Sequence, residues 1–217
     1  MQFAVAVSLA VLATTLLSAA PAQAGATWSI ALYRANKFLS FTGNITVPPN
    51  LPSGGTPYLW PGLEPGNAAT VLQPVLDGRN KHWYFGNALV GNPTGPYGGG
   101  VNAVPNDNLA FNMTNIGGAG NWYISSANGN QFASTTYNIG IQMQAAIFAV
   151  ELYPGTVWDF GNLVFRNVVI TADGTDSRWC TSNIQTVNVK KTITGVRSSV
   201  ANNVVTCRFD TLTLSPP

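Results

Sequence analysis

The sequence predicts an all-β sandwich of two antiparallel sheets, and three observations carry that expectation. From Thr27 onward, short segments rich in β-branched and aromatic residues are separated by clusters of Gly, Pro, Asn and Asp. No long stretch repeats its apolar residues with a helical period. The 217 residues are 46% hydrophobic and only 8% charged, so a core is readily filled and disorder is excluded.

The elements follow in order. Residues 3–19 are apolar without a charged side chain, and Pro21 and the small-x-small triplet Ala22-Gln23-Ala24 come next, so residues 1–24 read as a signal peptide cleaved before Gly25. Candidate strands then run near 27–33, 38–47, 57–63, 69–77, 81–89, 108–114, 120–126, 131–138, 143–153, 161–171, 183–190 and 203–214. Residues 146–153 have the composition of a buried helix, but Pro154-Gly155 ends them abruptly among strand-like neighbours. Gly91–Gly100 reads as a long loop, and no Pro/Ser linker, composition shift or repeat divides the chain. Residues 25–217 are therefore expected to form a single domain.

Charge and composition narrow the chemistry. A net charge of +2 offers no polybasic patch, which argues against nucleic acid as a partner. One histidine and two cysteines do not furnish the ligand shells of transition metals, so no metal or other cofactor is expected. A calcium site made from carbonyls and Asp or Asn stays open on sequence grounds. No later stretch approaches the roughly 18 apolar residues of a membrane span, so the mature chain is expected off the membrane and extracellular. In an oxidising compartment Cys180 and Cys207 most simply pair, which stabilises by roughly 3.6 kcal/mol on the loop-entropy argument. The sequons Asn44-Ile45-Thr46 and Asn112-Met113-Thr114 permit glycosylation. His82 has no Gly-x-Ser-x-Gly partner motif and reads as a surface or loop residue.

The mature chain has only two glutamates, Glu64 and Glu151, and six aspartates. Glu151 is the one charged residue between Asp107 and Asp159 and is set in Ala145-Ala146-Ile147-Phe148-Ala149-Val150-Glu151-Leu152-Tyr153. Alternation puts Ile147, Ala149, Glu151 and Tyr153 on one face and Ala146, Phe148, Val150 and Leu152 on the other. Desolvation on such a face raises a carboxyl pKa, which suits a general acid or base. The alternative is a glutamate exposed at a strand end. In Thr70-Val71-Leu72-Gln73-Pro74-Val75-Leu76 the amide of Gln73 shares a face with Val71 and Val75, and an amide can hold a water or an oxyanion without titrating. Pro74 favours an edge strand or a bulge there. Trp60, Trp83 and Tyr84 are candidate stacking surfaces for peptide or sugar, against the alternative of core packing.

Taken in order, these segments resemble the glutamic peptidases of the eqolisin type, secreted fungal endopeptidases with a concanavalin A-like double sheet. The resemblance rests on Leu59-Trp60-Pro61-Gly62, Val71-Leu72-Gln73, Trp83-Tyr84 and Phe148-Ala149-Val150-Glu151, with Ile45-Thr46-Val47-Pro48, Asp159-Phe160-Gly161 and Val205-Thr206-Cys207 flanking them. It spans most of residues 40–210. It implies Gln73 and Glu151 as a catalytic pair for acid-pH hydrolysis of a polypeptide; Trp60, Trp83, Tyr84 and Glu64 are the candidate substrate-binding residues, and a monomer is expected. The chain departs from the family at Leu63-Glu64-Pro65-Gly66, at Phe85, and at Leu152-Tyr153-Pro154. A sugar-binding sandwich or a polysaccharide-cleaving enzyme is the alternative, and a retaining glycosidase would need Glu64 and Glu151 roughly 5–5.5 Å apart.

Overall fold

The computed structural model describes residues 25–118, 120–182 and 184–217, so the expected signal peptide lies outside the described residues. The strands are β1 (Thr27–Arg34), β2 (Phe38–Thr46), β3 (Pro57–Pro65), β4 (Thr70–Asp77), β5 (Trp83–Gly91), β6 (Gly100–Ala103), β7 (Asn108–Gly117), β8 (Asn121–Asn128), β9 (Gln131–Asn138), β10 (Met143–Leu152), β11 (Leu163–Asp173), β12 (Gln185–Val187), β13 (Lys190–Thr194), β14 (Arg197–Ala201) and β15 (Val204–Ser215). One short helix, α1 (Arg178–Thr181), precedes β12. They form a seven-stranded sheet in the order β12-β1-β10-β3-β4-β5-β6 and an eight-stranded sheet with the path β13-β15-β11-β2-β7-β8-β9, β14 pairing with β15 off that path. Every pairing is antiparallel. The fold is an all-β sandwich.

The alternation read from the sequence decides what each strand buries. On β10, Ala146, Phe148 and Val150 point into the space between the sheets. There Phe148 packs edge-on against Phe41, Phe165 and Phe209 at centroid distances of 5.0, 4.8 and 5.8 Å. Burying each such ring contributes on the order of 2–3 kcal/mol, and their mutual edge contacts add to it. The intervening residues Ala145, Ile147 and Ala149 face the other way and join Leu32, Trp60 and Val71 in a second apolar cluster on the outer face of the seven-stranded sheet. The helical alternative for residues 146–153 is not taken.

Pro74 is not at an edge. β4 pairs with both β3 and β5. The β3–β4 pairs Leu59↔Leu76 and Leu63↔Leu72 are four residues apart on both strands, so no residue is inserted between them. That constant register sets Pro61 opposite Pro74 and Gly62 opposite Gln73. Two residues without an N–H thus confront each other, and the ladder is interrupted there without a bulge.

Cys180 and Cys207 are bonded, with Cα atoms 5.5 Å apart, and tie α1 to β15. Asn44 on β2 and Asn112 on β7 lie on the outer face of the eight-stranded sheet, where Asn44 pairs with Ala110 and Asn112 with Thr42. No helix among the described residues is long and apolar enough to cross a membrane.

Candidate active site

The polar residues singled out in the sequence gather on the outer face of the seven-stranded sheet. One cross-strand row there reads Trp28, Glu151, Tyr58, Asp77, Tyr84 and Asn102, contributed by β1, β10, β3, β4, β5 and β6. Glu151 is 7% exposed. Trp60 Nε1 donates to its Oε2 at 3.3 Å, and the Tyr153 hydroxyl lies nearby. Burial pushes its pKa upward, and these two donor groups only partly offset that.

Gln73 is on β4, two strands across from Glu151 and four residues along from the Asp77 row. It is 7% exposed, and its Oε1 is buried without a hydrogen-bond partner. Among the described residues, no hydrogen bond joins it to Glu151. The side chain lines an open groove of about 480 Å³ with Tyr58, Val75, Asp77, Tyr84 and Tyr97. At the far end of that groove Arg79 is paired with Asp77 at 2.6 Å and lies 5.6 Å from the Tyr58 ring centroid.

Trp60 occupies the midpoint of the Gln73–Glu151 diagonal. It is on β3, the strand between β10 and β4, opposite Ala149. Its indole lies down over Gly62: a Cβ built there would come within 2.9 Å of Trp60 Cζ3 and 3.0 Å of Val71 Cγ2. The bare glycine is what lets the ring lie flat and its N–H reach Glu151.

Glu64 is on the same face, opposite Ala145, and its pKa is pushed up to about 7 by burial while the Arg34 charge pulls the other way. Glu151 pairs with Tyr58, so the two glutamates are six residues apart in register on adjacent strands. On ideal dimensions that is roughly 20 Å. The close carboxylate pair of a retaining glycosidase is therefore not formed.

Trp83 corrects the expectation of a stacking surface. It is fully buried between the sheets and packs edge-on against Phe160 at 5.8 Å, because alternation along β5 turns Tyr84, not Trp83, to the groove. His82 is exposed after a single helical turn at Arg79–Lys81. Sequence reasoning missed Tyr97, whose hydroxyl comes so near Gly86 that a Cβ there would overlap it. A tyrosine in a Gly/Pro-rich loop carries no periodic signal, so only the fold could bring it to the groove. No group of three or more His, Cys, Asp or Glu suited to holding a metal ion is found among the described residues.

No protein-family model matches the sequence, and no curated protein matches it. Solved structures do. Scytalido-glutamic peptidase with a peptide-based transition-state analogue superposes with a TM-score of 0.59 and 16% identity, covering 85% of this chain and 98% of that one. A second structure of that peptidase with a transition-state analogue inhibitor gives 0.58 and 15% with the same coverage. So does SCP-B, a member of the eqolisin family of peptidases solved with the tripeptide Ala-Ile-His. The chain has the two-sheet fold of the glutamic peptidases.

Proposed function

We propose that this protein is a secreted endopeptidase that hydrolyses peptide bonds with Glu151 and Gln73. The observation that carries the reading is a desolvated carboxyl and an amide with an unpartnered Oε1, on the uncovered face of a sheet whose fold is that of glutamic peptidases. On ideal sheet dimensions the Gln73–Glu151 diagonal is roughly 16 Å between Cα atoms. Two extended side chains of about 5 Å each leave roughly 6 Å, the span of one oxygen hydrogen-bonded at both ends. A water or a scissile carbonyl fits that gap above the Trp60 indole.

In this reading the Glu151 carboxylate takes a proton from water as the water oxygen attacks the carbonyl carbon. The carbonyl electrons move to oxygen, and the Gln73 N–H donates to that oxyanion. Glu151 then returns its proton to the leaving amine as the C–N bond breaks, so the residue ends as it began. The groove beyond Gln73, apolar at Val75, Ala88 and Val90 with tyrosines around it, receives substrate side chains. Trp60, Tyr84 and Glu64 serve as binding residues. Removal of residues 1–24, a single folded unit over 25–217, a monomeric state and glycans on Asn44 and Asn112 belong to the same proposal. The formed disulfide supports an oxidising compartment.

The test is digestion of an unfolded protein mixture from pH 2 to 7 by wild type and Glu151→Gln, with peptides read by mass spectrometry. Cleavage in acid that vanishes in a folded mutant is expected. A folded wild type that cleaves nothing across the range would overturn the reading.

A further inference from the structure

The Glu151 carboxyl is held in a box of aromatic side chains from three strands. Trp28 stands opposite it on β1 and Tyr58 on β3, while Trp60 donates from the next row. Tyr153, two residues on and so on the same face, completes the box from beyond the end of β10. Its ring packs edge-on at 5.4 Å against Tyr58, the residue opposite Glu151, and its hydroxyl is close enough to the Glu151 carboxyl to bear on its ionisation. The backbone around it is clamped: Tyr153 N donates to Thr56 O at 3.1 Å, and Thr156 N closes a turn onto Tyr153 O at 3.0 Å. The phenol is therefore delivered to the carboxyl by a fixed main chain.

We propose that Tyr153 is a positioning residue: its hydroxyl, acting with the Trp60 indole N–H, fixes the Glu151 carboxylate on the face shared with Gln73. The two donors approach from different segments, β3 and the turn after β10, so they define an orientation that either alone would leave free to rotate. They also favour the charged form against the desolvation that opposes it. The other titratable or charged groups toward Glu151 are Tyr58 from β3 and, further along the row on β4, Asp77 with its partner Arg79. β1 presents the uncharged Trp28. The consequence for turnover rests on the peptidase reading above, whereas the consequence for the carboxyl itself does not.

The experiment is Tyr153→Phe, which removes the hydroxyl and keeps the ring against Tyr58. Carboxyl carbon NMR follows the Glu151 titration in wild type and variant, with near-ultraviolet circular dichroism confirming the fold. The expected result is an upward shift of the Glu151 titration by about one pH unit, a tenfold change in its ionisation. The acid limb of kcat/KM on a peptide substrate should move the same way while KM changes little, a split that lost packing would not give. A folded Tyr153→Phe whose Glu151 titrates as in wild type would overturn the assignment. Absence of wild-type cleavage with the NMR shift present would overturn the peptidase reading and leave this one standing.

Discussion

The outer faces of the two sheets are built by the same alternation and filled in opposite ways. Across the eight-stranded sheet one row reads Ser199, Thr206, Thr171, Ser40, Thr114, Tyr123 and Thr136, a hydroxyl on seven of its eight strands. Three of these groups pair with side chains, Ser40 Oγ and Thr171 Oγ1 being 2.6 Å apart and Thr114 Oγ1 donating to Asn112 Oδ1, and the other four are exposed or half-buried, within reach of solvent. The corresponding face of the seven-stranded sheet carries aromatics, aliphatics and both glutamates. There Gln73 Oε1 has no partner, and Glu64 and Glu151 are held against their tendency to ionise. A satisfied polar face stabilises the fold and asks nothing further of solvent or ligand. The unsatisfied face costs stability, and such a cost is retained where a ligand supplies the missing interaction.

The contrast is broken most sharply by substituting the two polar residues of the seven-stranded sheet. Glu151→Gln should lower peptide cleavage by about 10²–10⁴-fold with the fold unchanged, measured as kcat at the optimum pH. Gln73→Ala should cost about 10²–10³-fold in kcat by removing the oxyanion donor, and should relieve the buried unpartnered oxygen.

Glu64 sharpens the comparison through pH. Its carboxyl titrates near 7 in the fold against an ordinary value of 4.5, so between those values the folded chain holds a proton that the unfolded chain has released. Stability must then fall as pH rises from about 4.5 to 7, by on the order of 2–3 kcal/mol from this residue. Glu64→Gln should flatten that dependence in urea titrations across the window. The register places Glu64 diagonally beside Gln73, so its ionisation also puts a negative charge near the developing oxyanion. Activity is expected to decline through pH 7 in wild type and to persist higher in the variant.

The smallest effect is expected on the other sheet. Ser40→Ala combined with Thr171→Ala removes both ends of one hydroxyl pair at a partly exposed site and should change stability by no more than about 1 kcal/mol, with cleavage unaltered. A large activity loss there would show that the eight-stranded face is not a passive one.

Much of this was legible in the chain. The face assignments on β10 and β4 follow from alternation, because a strand has two sides and one of them must be apolar enough for the core. Glu151 stood out because glutamate is so rare here that its setting among alanines and aliphatics demanded a reason. The hidden parts have physical causes. β14 is exposed throughout and β13 alternates only between exposed and half-buried residues, so burial imposes little pattern on them. Trp83 and Tyr84 are consecutive, and composition does not say which of two aromatic neighbours faces inward. Tyr97 and the flat-lying Trp60 depend on glycines at distant positions, Gly86 and Gly62, whose role is to be absent. Pro74 misled because its match, Pro61, lies on another strand and only the register reveals the pairing.

The hydroxyl row has a consequence for behaviour in strong acid. Proteins swell and unfold there when carboxylates are neutralised and the remaining cations repel one another. This chain has ten Lys or Arg and one His, so its charge cannot exceed about +11 from side chains, and the row of Ser, Thr and Tyr across the eight-stranded sheet contributes none of it at any acidic pH. Acidification therefore raises the net charge from +2 to at most about +11, few charges for a chain of 217 residues, while it protonates Glu64 and Glu151, which the fold prefers neutral. The same surface that shows no chemistry of its own helps the fold persist in acid, whereas turnover with Glu151 as base is expected only where its carboxylate is still populated.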